Sequence, residues 1–338
     1  MRDVAARAGV SVATVSRALA GSPRVAPAVQ ERVRRAADDL GYLPNRLPSN
    51  LRSKGVRILA LVVGNVRNAY FPELIDGCLG AANDAGYPLI FGDSNEDPER
   101  EREILHQLAG ERVAGVALAS ADGSSTGAHR LFDLGIPVVA VDRRLVDHVV
   151  DTVTVDSERG VHAAITHLIS LGHRRIGLLA GPTSLSTMTE REAGYHRALL
   201  DAGIEADPAL IVRGDLTQGT ASALAPQLLR LDRPATAIVT TNDLSTIGTL
   251  RALRSLGVRV PDDVSVIGFD DIVGADLFDP PLSTITQPVF AIGRRAIQLL
   301  VRRVTTAAAP VEEVSLEPRL VLRGSTALVR ELASVEEV

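Results

Sequence analysis

The sequence has no tryptophan, two methionines, one cysteine and one lysine, Lys54. Each shortage excludes something. A lone cysteine, Cys78, closes no internal disulfide, so a reducing cytoplasm is the expected compartment. Cys78 reads as a small helix residue rather than a nucleophile. A P-loop needs a lysine behind its glycines, and Lys54 has none at the right spacing, so that route to nucleotide phosphates is closed. No apolar run approaches the roughly 20 residues of a membrane span, and the N-terminus carries no signal-peptide core. The seven histidines form no H-E-x-x-H, and His162 and His167 stand five apart, off the i, i+4 spacing of a helical metal pair. Both read as surface residues, and no metal or other cofactor is expected.

What is present is unevenly distributed. The net charge of −5 argues by itself against nucleic acid, but residues 1–57 hold ten arginines and Lys54 against Asp3, Glu31, Asp38 and Asp39. That head is therefore +7 and the remainder −12. A basic head on an acidic body presents one end to phosphate and keeps the other away.

Within the head, Asp3 to Gly21 (DVAARAGVSVATVSRALAG) reads as two short helices around a glycine turn. Val4, Ala5 and Ala8 lie at helical spacing, Gly9 suits a positive φ, and Ser11 is a good N-cap. In the second helix Val15, Ala18 and Leu19 share one face and should pack on the first. Ala13, Ser16 and Arg17 share the opposite face, with Val12 at the end that enters a major groove in helix-turn-helix proteins. Arg17 could read a guanine edge, and Ser16 and Thr14 could bond phosphate. Periodicity alone leaves open a plain helical hairpin with Arg17 as a solvated charge. Residues 27–40 read as a third helix, with Pro27 in its first turn, Val29, Val33, Ala36, Ala37 and Leu40 on one face, and Gly41 as the stop. Residues 44–57, with two prolines and little periodicity, form a linker.

From Ile58 short apolar runs alternate with helical stretches. The runs are 58–63, 87–91, 113–119, 136–142, 152–155, 175–181, 209–214, 237–240 and 264–270; the helices are 72–85, 99–108, 158–171, 190–202, 218–229 and 244–256. Such alternation means parallel sheets covered on both faces. Its length implies two similar lobes with a cleft between them, and ligands in such sheets bind beyond the carboxyl ends of strands. The polar residues just after strands are Asn65, Asn68, Ser94, Asn95, Asp142, Arg143, residues 183–187, Asn242, Asp243, Asp270 and Asp271. Amides, hydroxyls, carboxylates and an arginine suit a small polyhydroxylated ligand, with Tyr70 and Phe71 on its apolar face. For any single Asp or Asn here a helix cap is the better reading, and it is the convergence of many that points to a ligand.

Residues 123–127 spell G-x-S-x-G after a strand, the formal context of a hydrolase nucleophile elbow at Ser125. Polar residues 120–122 separate the motif from the strand end, so it reads as a flexible Gly/Ser loop and no catalytic residue is assigned.

The segments DVAARAGVSVATVSRALAGSPRV and ERVRRAADDLGYLPN resemble the DNA-binding headpiece of the lactose/galactose repressor family of bacterial regulators. The resemblance continues through LVVGNVRNAYFPEL, IPVVAVDRR, DTVTVDSERG, HLISLGHRRIGLLAGP, STMTEREAGYHRAL, ATAIVTTNDLSTIGTLRAL, VPDDVSVIGFDD and LSTITQP, which is essentially the whole chain. It implies an all-α helix-turn-helix headpiece (1–44), a hinge linker (45–57), a two-lobed α/β core of periplasmic-binding-protein type with parallel sheets (58–330) and a short tail (331–338). It implies a homodimer, or a dimer of dimers, on a near-palindromic double-stranded DNA operator, controlled by a small molecule between the lobes; such pockets take sugars, sugar phosphates, nucleosides or purines, and a sugar or sugar derivative is expected here, with a nucleoside or purine as the alternative.

Carried over by position, Val12, Ala13 and Arg17 match base-reading residues, and Ser11, Thr14 and Ser16 match phosphate-contacting and capping residues. Leu51 matches a hinge leucine that wedges into the minor groove. Tyr70, Phe71, Asp142, Arg191, Asn242 and Asp270 match effector positions, with Thr187 near them. Arg191 opposite Asp142 or Asp270 would suit adjacent sugar hydroxyls. The chain departs from the family where Ala26 replaces a serine cap and where Pro48 and Ser49 replace alanine and arginine in the hinge. The sequence begins two or three residues short of the family's usual start, so either helix 1 lacks its N-cap or Met1 is not the true start. Leu185 and Leu216 stand where purine-binding relatives carry arginine and phenylalanine, which favours a sugar over a purine. Rival readings are a sugar-binding transport protein, which needs a secretion signal and has no use for a +7 head, and a Ser125 hydrolase.

Overall fold

Three helices, α1 (Arg2–Ala8), α2 (Val12–Leu19) and α3 (Pro27–Asp39), form the first unit of a computed structural model that describes residues 1–19, 22–42 and 57–329. Gly9 ends α1 at φ +63°, where a side chain would be strained, and turns the chain into α2. Helix α1 has no side-chain cap at Met1, and α3 has none at Ala26; Pro27 opens α3 instead. Gln30 secures that entry by donating from Nε2 to the carbonyls of Ser22 and Val25, each at 3.0 Å. Val4, Ala5, Ala8, Val15, Ala18, Val33, Ala36 and Ala37 make one core, with Leu19 and Val29 packed against it. Leu40 departs from the expected stripe and is exposed, because α3 stops at Asp39. The hinge residues Pro48, Ser49 and Leu51 and the tail 331–338 lie outside the described residues.

The second unit, Arg57–Val338, has two sheets. The first contains β1 (Leu59–Val63), β2 (Leu89–Asp93), β3 (Gly115–Leu118), β4 (Val138–Val141), β5 (Asp151–Val155) and a late strand β11 (Glu313–Leu316), in the order β11-β5-β4-β3-β1-β2, all parallel. The second contains β6 (Ile176–Ala180), β7 (Ile211–Arg213), β8 (Ala237–Thr240), β9 (Ser265–Phe269), β10 (Ser283–Thr286) and β12 (Arg319–Val321), in the order β12-β10-β9-β8-β6-β7. Only β12 is antiparallel. Strands β1, β3, β6, β8 and β9 are buried at nearly every position, as parallel strands covered on both faces must be.

Helices α4 (Tyr70–Asp84), α5 (Pro98–Glu111), α6 (His129–Asp133) and α11 (Val289–Thr305) cover the first sheet; α7 (Ser157–Ser170), α8 (Ser186–Asp201), α9 (Gln218–Leu229) and α10 (Asp243–Ser255) cover the second. The chain thus crosses between lobes three times, near residues 156, 287 and 317. Helix α11 returns to the first lobe and packs tightly on α4. A Cβ on Gly77 would fall 2.2 Å from the Phe290 carbonyl oxygen, and one on Gly293 would fall 2.3 Å from that of Leu74, so both positions require glycine. Cys78 lies in this seam, fully buried, with its thiol directed at the Gly293 carbonyl at 3.3 Å. Burial pushes that thiol up to about 12, which suits packing and not nucleophilic attack.

All nine strands expected from the apolar runs are present. The alternation read from the sequence ends at Asp270, however, and the structure adds β10, α11, β11 and β12 beyond it and the short α6 before it.

Candidate functional site

Two surfaces matter. On the headpiece, the Ser11 hydroxyl accepts the Thr14 N–H at 3.1 Å and so caps α2. Val15 and Ala18 are buried, whereas Ser11, Val12, Ala13, Ser16 and Arg17 are exposed and Thr14 is half-buried. Of the six headpiece residues expected to touch DNA, Val12, Ala13, Ser16 and Arg17 are thus exposed on α2, Ser11 is exposed at its cap, and Thr14 borders the packed face. Val12 is an apolar side chain left 43% exposed at the first turn of this helix.

Between the lobes lies a cavity of about 220 Å³ lined from both sides. Tyr70, Phe71 and Asp142 come from the first lobe, and Thr187, Arg191, Asn242 and Asp270 from the second, so the seven residues expected at an effector site meet at one place. Tyr70 and Phe71 open α4 and pack edge to face, with ring centroids 5.2 Å apart. Thr187 and Arg191 are one turn apart on α8, which starts four residues earlier than the periodicity suggested.

Asp142 and Asp270 occupy equivalent places in the two lobes. Each directly follows a central strand, β4 or β9, each holds a left-handed φ (+68° and +72°), and each donates its N–H to the neighbouring strand at 3.0 Å, to Val153 and Ile285. Left-handed backbone at two buried aspartates is strain that the surrounding sheet must impose, and it aims both carboxylates into the cleft. Burial raises the Asp142 carboxyl, opposed by Arg143 and Arg191. The Tyr70 hydroxyl is buried beside Asp142 without completing a protein hydrogen bond, and burial plus the two aspartates hold its pKa well above the usual phenol value.

Arg191 is buried, stacks on Phe269 with its guanidinium carbon 3.6 Å from the ring centroid, and donates Nη1 to the Thr241 carbonyl. Its Nε is buried without a partner. No direct ion pair joins it to either aspartate; the three surround the space where a ligand would mediate between them. Asn242 is a helix cap after all, accepting from Ser245 N–H at 2.9 Å, but its amide also donates to the Leu216 carbonyl at 3.0 Å. It thereby holds a loop whose Leu216, at φ +65°, walls the cavity; Leu185 is buried and does not line it.

Sequence reasoning missed Glu96 and Gln287. Gln287, on the second crossing, donates Nε2 to Asp270 Oδ1 at 2.5 Å, while its own Oε1 is buried without a partner. Asp243 was visible only as a polar residue after a strand. In the structure its Oδ2 accepts the Ala69 N–H at 3.0 Å and ties α10 to the first lobe. On the far edge of the cleft the Arg144 N–H donates to Ser186 Oγ at 3.0 Å.

Ser125 is not an elbow. Its side chain is fully buried, its N–H donates to Asp147 at 2.7 Å, and the preceding loop is tied down by Ser120 and Asp122 rather than loose. His162 pairs with Asp201 at 3.0 Å and His167 with Thr326 at 3.2 Å. Among the described residues no cluster could hold a metal ion, and no helix is long and apolar enough to cross a membrane.

Burial pushes the Asp270 carboxyl up to about 7 against the opposing charge of Arg191, and burial does the same for Glu101 on α5. An unfolded carboxyl ionises near about 4, while these two keep their protons in the fold until about 7. Their contribution to stability is full below about pH 4 and is lost as pH rises to about 7. Asp270→Asn should therefore flatten the fall in urea midpoint across that window; an unaltered pH profile would contradict the assignment.

Residues 1–45 match the family model for bacterial regulatory proteins of the lacI family, and residues 165–326 match that for a periplasmic binding protein-like domain. The chain is 34% identical to the HTH-type transcriptional repressor CytR of Escherichia coli K12 over 96% of both proteins. This chain belongs to the LacI family. It is also 36% identical to the transcriptional regulator CelR of Thermobifida fusca, over 95% of this chain and 96% of that protein. Among solved structures, a CelR–cellobiose complex aligns with TM-score 0.75 and 34% identity over 96% of this chain and 98% of that one. The lac repressor dimer bound to operator and an anti-inducer aligns with TM-score 0.84 and 26% identity over the same shares. As a LacI-family member with both parts present, the protein is a DNA-binding transcriptional regulator and not an enzyme.

Proposed function

We propose that the protein is a repressor that binds a near-palindromic operator as a homodimer through Ser11, Val12, Ala13, Thr14, Ser16 and Arg17, and that a sugar in the interlobe cavity sets its operator affinity. The observation that carries the effector half is the cavity itself: two strained aspartates, Arg191 and Asn242 converge from separate lobes on one cleft. Vicinal hydroxyls can donate to the carboxylates and accept from the guanidinium and amide, and a ligand that makes both sets of bonds holds the lobes at a fixed angle. The relative solved with cellobiose supports this choice of ligand. Leu216, with no ring to stack, tells against a purine.

The DNA half rests on the exposed side of α2 and the +7 head. Arg17→Ala should cost roughly 1–3 kcal/mol on the cognate site and relax base preference at one position, because a lost base contact is sequence-specific whereas a lost phosphate contact is not. Selection of operator DNA from random sequence, followed by titration of both proteins on cognate and scrambled duplexes, tests it. Equal losses on both duplexes would remove Arg17 from the base-reading set.

A further inference from the structure

The cavity contains a feature that sugar binding alone does not need. Arg143, which follows Asp142 after β4, is 5% exposed, and its fork is closed by Glu96: Nη1 donates to Oε2 at 2.6 Å and Nη2 to Oε1 at 2.8 Å. Nη1 also donates to the Ser120 carbonyl at 2.8 Å, and Nε lies 3.4 Å from Asp142 Oδ2. Considerable local structure is committed to placing this carboxylate. Asn95 and Glu96 are consecutive non-glycine residues at φ +53° and +57°, an arrangement that costs backbone energy at both positions. The Glu96 N–H is anchored on the Gly64 carbonyl at 2.7 Å. A Cβ on residue 64 would stand 2.3 Å from Glu96 Oε1, so the glycine after β1 clears the carboxylate's position. Both partners line the cavity.

The remaining cations do not replace Arg143 as an anion site. Arg191 faces Asp142 and Asp270, and Arg67 is exposed at the rim, where solvent and salt screen it. A planar guanidinium with a free fork takes a phosphate as readily as a carboxylate. Here the protein's own carboxylate already occupies the fork.

From this arrangement we infer that the Glu96–Arg143 pair is a specificity element: it restricts the cavity to an uncharged sugar and excludes the phosphorylated form, the carboxylate acting as a built-in occupant of what would otherwise be a phosphate subsite. This rests on the reading of the cavity as the effector site. The regulator then responds to the free sugar and ignores the ester that a kinase reaction makes from it.

The test uses full-length protein and inorganic phosphate as the probe, followed by isothermal titration calorimetry against chloride at matched ionic strength. Glu96→Gly removes the carboxylate and suits φ +57°, so it relieves strain rather than adding it; Glu96→Gln keeps the bulk and removes the charge. Glu96→Gly should acquire a saturable phosphate site, at least about tenfold tighter than anything seen in wild type, and the added site should vanish in Glu96→Gly/Arg143→Met. Glu96→Gln should acquire a weaker one. Any phosphate held by the basic headpiece appears equally in all proteins and cancels. Equal phosphate binding by wild type and both variants would overturn the inference, as would a gain that survives loss of Arg143. In parallel, wild type is titrated with ribose, glucose and cellobiose and with ribose 5-phosphate and glucose 6-phosphate. Binding of a phosphate ester more tightly than its parent sugar would also overturn it. Failure of all the neutral sugars while the phosphate contrast holds would count against the sugar reading and still support the role of Glu96.

Discussion

Arg191→Met is expected to weaken effector binding by roughly 30-fold to several thousand-fold, the equivalent of about 2–5 kcal/mol. Methionine keeps much of the length and the contact with Phe269 but removes the cation, leaving Asp142 and Asp270 facing each other across a buried cavity. Asp142 keeps Arg143 beside it, but Asp270 loses its opposing cation and holds its proton more firmly, which turns an acceptor for sugar hydroxyls into a competing donor. Arg191→Lys should recover little, because a point charge cannot donate to Thr241 and to a ligand with the geometry of a fork. The operator complex of Arg191→Met should form with near wild-type affinity in the absence of effector and respond to none at concentrations that saturate wild type. Titration calorimetry and an operator-binding assay check the two halves; an effector affinity within threefold of wild type would exclude Arg191 from the site.

Asp151→Ala should destabilise the core unit by about 3 kcal/mol, seen as a lower urea midpoint with an unaltered slope. Asp151 opens β5 and is 1% exposed, and its two oxygens accept from Arg302 at 3.0 Å, from Arg303 at 2.8 Å and from the Glu312 N–H at 2.9 Å. Arg302 and Arg295 also reach Glu312, so this one carboxylate fastens the end of α11 and the start of β11 to the first sheet. Alanine leaves two arginines and a backbone N–H around an empty acceptor position. Arg302 is partly exposed and can turn to water, which keeps the cost at the lower end of the range for a broken buried pair. Asp151→Asn retains an acceptor for the Glu312 N–H and should lose about half as much. A midpoint equal to wild type for Asp151→Ala would mean the network contributes nothing.

How much of this the chain announced depends on the kind of signal. The headpiece was legible because Val15, Ala18 and Gly9 obey local rules of period and turn. The lobes were legible because buried parallel strands are short apolar runs. The last third was less so. Strands β11 and β12 are half-exposed edge strands without a strong pattern, while α11 carries a clear apolar stripe (Val289, Ile292, Ala296, Ile297, Leu300) that a stricter count would have found. In the cavity, Asp142 and Asp270 follow strands and so could be placed, whereas Arg191, with Thr187 near it, was placed only by the resemblance, because the periodicity started that helix at residue 190 and left Thr187 outside it. Glu96 and Gln287 could not be placed. Their roles arise from pairing with Arg143 and Asp270, 47 and 17 residues away in the chain, and from a left-handed backbone that nothing in the residue type Glu foretells.

If the interlobe cavity and the operator surface are coupled, the coupling must be reciprocal. The operator dissociation constant is measured without and with saturating effector, and the effector dissociation constant without and with saturating operator. The same factor is expected in both, in the range of roughly 5- to 150-fold that allosteric coupling usually supplies. A sugar that binds the cavity while operator affinity stays constant would contradict it.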